Sequence, residues 1–245
     1  MIPFEVLATS PLDLLAFSPP GWGATLLRGL WNSVLIATGA YALGLLIGIG
    51  GAYGKLYGSP VVKDLLAVYT TVVRAVPELV LILILYFAVT DAVNQIVLAL
   101  GGSRIEISGV AAGIAVLGVV QGAYATEVLR GAILAVPTGQ IEAARAMGMP
   151  PGLLARRITL PLMLSFAIPG LANLWLVATK DTALLAVVGF AELTQATRQA
   201  ASTTKAFFTF YAAAGVLYLT LSIASTILFA RLEKWARRGQ RRMEE

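Results

Sequence analysis

There is no cysteine and no histidine anywhere in the 245 residues. Disulfides, thiolate nucleophiles, imidazole bases and Cys/His metal sites are excluded together, and intramembrane metalloprotease chemistry goes with them. A nucleotide-binding P-loop is missing too. The nearest approach to G-x-x-x-x-G-K-[ST], from Ile49 to Leu56, has Ile49 in place of the first glycine and Leu56 after Gly54-Lys55. This chain is therefore not expected to bind ATP, and any energy must arrive from another polypeptide. Charge is scarce as well: 13% of residues, against about 25% in an ordinary soluble domain. The first twenty residues hold Glu5 and Asp13 but no Lys or Arg, so they lack the basic start of a secretory signal, and the first span is expected to do its own targeting.

What fills the chain instead is apolar sequence. Hydrophobic residues make up 58% and mean hydropathy is +0.82. A membrane span needs roughly 20 apolar residues. Five windows are long enough, at about 25–52, 65–90, 108–136, 161–190 and 207–231. The expected fold is an all-α membrane protein of about five transmembrane helices. Its parts are an N-terminal segment at 1–24, a transmembrane domain at 25–232 containing a loop at 137–161, and a charged tail at 233–245. Gly44 and Gly48 form a G-x-x-x-G that suits close helix packing, and Trp22, Trp31 and Trp235 fit the membrane interface.

Orientation follows from the basic residues between spans. One side carries Lys55, Lys63, Arg145, Arg156, Arg157, Arg231, Lys234, Arg237, Arg238, Arg241 and Arg242; the other has Arg28, Arg104, Arg198 and Lys205. The excess places the N-terminus outside and the C-terminus in the cytoplasm. The net charge of +5 thus reflects topology and a lipid bilayer rather than nucleic acid.

Six ionisable residues fall within or near the spans: Arg74 and Glu78, Glu127 and Arg130, Lys180 and Asp181. Each is costly against lipid unless paired or facing water. They read as three intramembrane acid–base pairs, with Glu127 and Arg130 on one helical face and Arg74 and Glu78 flanking Pro77. They can hold helices together, or line a path for a zwitterion, whose desolvation needs fixed groups of both signs.

The loop between spans three and four carries the most information. Gln140 to Met147 is rich in helix formers, Gly148 can end a helix in a left-handed conformation, and Pro150-Pro151 can open a second short helix from Leu153 to Ile158. A helix-turn-helix elbow is expected. Such short helices are marginal alone, so something must pack on them.

The order Glu142-Ala143-Ala144, Gly148, Ile158-Thr159-Leu160-Pro161 resembles the EAA loop of the permease subunits of binding-protein-dependent ABC importers. The resemblance implies that Glu142, Ala143, Ala144, Gly148, Ile158, Leu160 and Pro161 form a cytoplasmic coupling-helix elbow seated on an ABC ATPase, present in two copies, which binds the ATP and magnesium. No cofactor is expected in this chain. The runs Gly122-Ala123-Tyr124-Ala125-Thr126-Glu127-Val128-Leu129-Arg130-Gly131, Pro169-Gly170-Leu171-Ala172-Asn173 and Lys180-Asp181-Thr182-Ala183-Leu184 resemble polar amino acid permeases. Gly54-Lys55-Leu56 and Tyr69 to Leu79 are most similar to the Q-type subunit of the histidine/lysine/arginine/ornithine and octopine/nopaline importers, over about residues 24–232. Ala183 departs from the family, which often has Ser there.

That resemblance implies a multi-pass protein of the bacterial inner membrane, heterodimeric with a second permease and fed by a periplasmic solute-binding protein. Cationic L-amino acids or opine-like conjugates would pass near the dimer interface, touched by Glu78, Tyr124, Glu127, Asn173 and Asp181. Two other classes compete with this one. An ion- or proton-coupled secondary transporter is suggested by buried Glu127 and Asp181, but no inverted repeat is visible. An intramembrane enzyme lacks a metal set and a well-spaced Ser–Lys pair.

Overall fold

Proline and glycine placement divides the chain into ten α-helices over the described residues 10–104 and 108–236 of the computed structural model. Glu5, Arg237, Arg238, Arg241 and Arg242 lie outside the described residues. A single turn, α1 (Pro11–Leu14), precedes α2 (Gly23–Tyr57), a helix of 35 residues that outruns the 25–52 window because no proline interrupts it. At roughly 1.5 Å per residue it is about 52 Å long. Ser59 then caps α3 (Pro60–Ala75), its hydroxyl accepting from the Val62 amide, with Pro60 at the first helical position.

The window at 65–90 is not one helix, which corrects the second expected span. Val76 is extended (φ −91°, ψ 138°), as a residue before proline prefers, and α4 (Glu78–Ala99) starts afresh after Pro77. The membrane-length helix is α4, while α3 is a shorter amphipathic element that buries Thr70 and Val73.

Next comes α5 (Gly109–Leu134), capped by the Ser108 hydroxyl. It is the axis of the bundle: 61% of its most apolar window is buried, against 11% for α4 and for the last span. Small residues explain its fit against α2. A Cβ built on Gly44 would lie 2.8 Å from the Gln121 Cβ, and one on Gly48 2.5 Å from the Ala125 Cβ. Only residues without a side chain allow this approach, so the G-x-x-x-G is a packing seam.

The first limb of the elbow is α6 (Thr138–Ala146). Its end has the hydrogen bonds of a Schellman cap: the Gly148 amide donates to the Arg145 carbonyl (2.9 Å) and the Met149 amide to Ala144 (3.1 Å), with Gly148 at φ +74°. The second limb is not separate, which is a correction. α7 (Pro151–Leu154) runs through a wide π turn, Ala155–Thr159, into α8 (Leu160–Asp181), then a tight 3₁₀ turn, Thr182–Val188. The wide turn lies just before Pro161, whose ring would otherwise crowd the carbonyl four residues back. Thus Ile158, Leu160 and Pro161 begin the fourth span.

After Gly189 the chain forms α9 (Leu193–Thr204), which packs against α2 and α10 (Phe207–Ala236). Leu193, Phe210, Leu26 and Leu14 form the core at that end. Among the described residues, five helices are long and apolar enough to cross a membrane, the number the sequence predicts.

Candidate functional site

Three helices bring polar groups together in this apolar bundle. On α5, Gln121, Tyr124 and Glu127 recur at i, i+3, i+6, so one turn separates each from the next. Glu78 enters from the first turn of α4, set there by the break at Val76-Pro77, and Asp181 from the last turn of α8.

Two acids meet near Tyr124. The Tyr124 hydroxyl donates to Glu78 Oε1 at 3.3 Å, and Gln121 Nε2 donates to Asp181 Oδ2 at 3.3 Å. Glu78 and Asp181 lie within electrostatic and hydrogen-bond reach of each other. Asp181 is buried at 8% exposure and, among the described residues, has no cation within ion-pair distance. Gln121 is 1% exposed, and its Oε1 is buried with no hydrogen-bond partner. An orphaned acceptor of this kind costs about 1–3 kcal/mol in a fold, so the cluster holds spare capacity to accept hydrogen bonds. Chemically it is an acidic cluster with acceptor capacity to spare, suited to an ammonium or guanidinium group.

Only one of the three expected acid–base pairs forms. Glu127 Oε2 accepts from Arg130 Nη2 (2.8 Å) and Nε (3.0 Å). Arg74 and Glu78 do not pair, because α3 ends between them and the i, i+4 relation is lost at Pro77; Arg74 is exposed. Lys180 and Asp181 do not pair either: neighbours on a helix point about 100° apart, and Lys180 faces outward. Glu127 instead takes a second base that spacing along one helix could not reveal, Lys55 at the end of α2 (Nζ to Oε1, 2.5 Å).

Asn173 is separated from the cluster. It lies about 12 Å along α8 from Asp181 at 1.5 Å per residue, and it is exposed on the same face as Lys180 and Phe166. In the elbow, Glu142, Ala143, Gly148, Leu160 and Pro161 are exposed, Ile158 is half-buried, and Ala144 is buried.

Gln121, Lys55 and Glu192 were not singled out from the sequence as site or network residues. Gln121 carries a signal, a polar side chain one turn from Tyr124 in an apolar helix. Glu192 also does, as an acid just before a helix. Its buried carboxylate caps α9, accepting from the amides of Gln195 (2.7 Å) and Thr194 (2.8 Å) and from the Tyr218 hydroxyl (3.1 Å). Burial pushes its carboxyl above the usual range, and the donated backbone hydrogen bonds oppose the shift.

Known proteins share both sequence and fold. Residues 40–238 match the family of binding-protein-dependent transport system inner membrane components. The nopaline transport system permease protein NocQ of Agrobacterium fabrum is 43% identical, over 94% of this chain and 98% of its own. The histidine/lysine/arginine/ornithine transport system permease protein HisQ of Escherichia coli is 38% identical, over 87% of this chain and 94% of its own. Among solved structures, an amino acid ABC transporter crystallised with histidines superposes with a TM-score of 0.75 at 27% identity, covering 87% of this chain and 94% of that one. The MetNI methionine ABC transporter, in an inward-facing conformation, has a TM-score of 0.71 at 21% identity, covering 91% and 100%, and shares the fold.

Proposed function

We propose a cargo and a route for this chain, which belongs to the binding-protein-dependent transport system inner membrane component family and is the membrane permease subunit of an amino acid ABC importer. It is not the ATPase, and ATP hydrolysis belongs to a partner subunit. An ATPase and a solute-binding protein are the partners that the family implies. The ion-coupled alternative therefore lapses.

The proposed cargo is a cationic amino acid or an opine-like conjugate. One observation carries it: Glu78 and Asp181 converge, without a paired base among the described residues, beside the buried and unpartnered Gln121 Oε1. A cation leaving water needs its hydration replaced by fixed acceptors, and here two carboxylates and an amide oxygen stand ready, with Tyr124 orienting Glu78. Arg74, exposed on the far side of the Pro77 break from Glu78, is available to the cargo's carboxylate. Transport systems for nopaline and for histidine, lysine, arginine and ornithine among the relatives support this class. Glu127, with both oxygens engaged, is a less suitable ligand than Glu78 or Asp181.

We further propose that the elbow faces the cytoplasm and seats Glu142, Ala143 and Gly148 on one of two ATPase copies. ATP and its magnesium are held there, and closure of the ATPase pair alternates access. A second, related permease covers the α8 face of Phe166, Asn173 and Lys180, since a polar pair at bilayer depth is costly against lipid. The N-terminus is then periplasmic and the C-terminus cytoplasmic, in a bacterial inner membrane.

The test is Asp181→Asn in the reconstituted complex, with uptake of labelled arginine driven by ATP. Loss of one charge-assisted hydrogen bond, about 1.5–3 kcal/mol, lowers uptake roughly 10- to 100-fold. Unaltered arginine uptake by both Asp181→Asn and Glu78→Gln would refute the cargo site.

A further inference from the structure

Lys55 lies at the junction of three helices. Two residues before the end of α2, it donates from one ammonium to Glu127 Oε1 on α5 and to Thr70 Oγ1 on α3 at 2.8 Å. Its side chain is only 15% exposed, that of Glu127 is 17%, and Thr70 is buried. Arg130 already satisfies the other oxygen of Glu127, so the triad carries a net charge of +1, and Glu127 would keep a partner without Lys55. Lys55 is thus superfluous for neutralising Glu127. What it adds is the link to α3.

That link joins separate parts of the bundle. The glycine seam makes α2 and α5 one rigid pair, and α5 leads through Val136-Pro137 directly into α6 of the elbow. By contrast α3 buries just two residues, and among the described residues its side-chain hydrogen bonds to other helices are that of Tyr69, whose hydroxyl donates to the Val119 carbonyl, and the Lys55–Thr70 bond. Eight residues beyond Thr70, past the break at Pro77, stands Glu78 of the acidic cluster. A displacement of the elbow end of α5 reaches Glu78 through Lys55 and α3. We infer that Lys55 is a positioning residue of the transport cycle, clamping the α5 strut behind the elbow to the helix that places Glu78. This rests on the permease reading above.

The experiment compares Lys55→Met with wild type in proteoliposomes containing the whole importer, measuring both arginine uptake and ATP hydrolysis with and without arginine-loaded binding protein. Wild-type complex whose hydrolysis ignores loaded binding protein would defeat the cargo reading itself. With a responsive wild type, Lys55→Met is expected to lower uptake per ATP roughly tenfold and to raise hydrolysis without binding protein, while Lys55→Arg, which can reach both partners, restores coupling. An unchanged ratio of uptake to hydrolysis in Lys55→Met overturns the inference. If that variant does not assemble, Thr70→Val decides: it cuts the α3 link and spares the ion pair, so a fall of roughly fivefold in uptake per ATP upholds the role and a wild-type ratio refutes it.

Discussion

Gly48 and Gly50 sit two residues apart on α2 and should respond in opposite ways to the same added methyl group. A Cβ on Gly48 would lie 2.5 Å from the Ala125 Cβ and 2.9 Å from its carbonyl carbon, whereas one on Gly50 meets nothing within 4 Å. Non-bonded carbons settle at about 3.5–4.0 Å, so Gly48→Ala forces α2 and α5 apart by roughly 1 Å. Overpacking of this kind costs about 1–3 kcal/mol. Both substitutions share the helix-propensity gain of about 0.5–1 kcal/mol, so the difference between them isolates the packing cost. At roughly 2–4 °C per kcal/mol for a chain of this size, Gly48→Ala should unfold about 2–12 °C below Gly50→Ala. Thermal unfolding of the detergent-solubilised protein, followed by tryptophan fluorescence, measures this directly. Equal midpoints for the two variants, or a lower one for Gly50→Ala, would refute the account of the α2–α5 seam.

Gly148→Ala places a side chain at φ +74°, a strain of roughly 1–2 kcal/mol in the left-handed region. If the elbow must be capped to hold the ATPase, binding of that subunit falls by a factor of about 5–30, and Gly148→Asn falls less; wild-type pull-down by the alanine variant would contradict this. Glu192 gives a pH dependence of stability. Its folded pKa is raised above the ordinary 4.5, so the folded state holds the proton longer than the unfolded one. The stabilisation is complete below that ordinary value and is lost as pH rises through the folded one. Glu192→Gln removes the titration while keeping one acceptor oxygen for α9. Its unfolding temperature should fall less between about pH 4 and 7 than that of wild type, and parallel curves would show that Glu192 does not titrate in this range.

The span count, the α6 helix, its cap at Gly148 and the glycine seam were legible because each is a local rule. Apolar length marks a span, glycine supplies the left-handed cap, and i, i+4 glycines mark a close approach. Two boundaries escaped for equally local reasons. Hydropathy averages across Val76-Pro77 and so hid the break that separates α3 from α4, although the residue preceding a proline resists the helical region. Pro161 suggested the end of a limb, but a wide turn absorbed it and the helix ran on.

Charges were the least legible, and the reason is geometric. Spacing can pair residues on one helix, which is how Glu127 and Arg130 were found, yet Lys55 and Glu127 stand 72 residues apart. No period connects them. The two pairings that failed fail in informative ways: a proline break turned Glu78 away from Arg74, and adjacency along a helix left Lys180 facing outward while Asp181 faced in. Both acids lost their expected partners and met each other beside Gln121 Oε1. Two carboxylates in reach of one another and an orphaned amide oxygen would each destabilise the fold, and packing alone gives no reason to keep them. A cationic group, as proposed for the cargo, would compensate all three at once. The feature least favourable to folding is therefore the strongest pointer to the cargo.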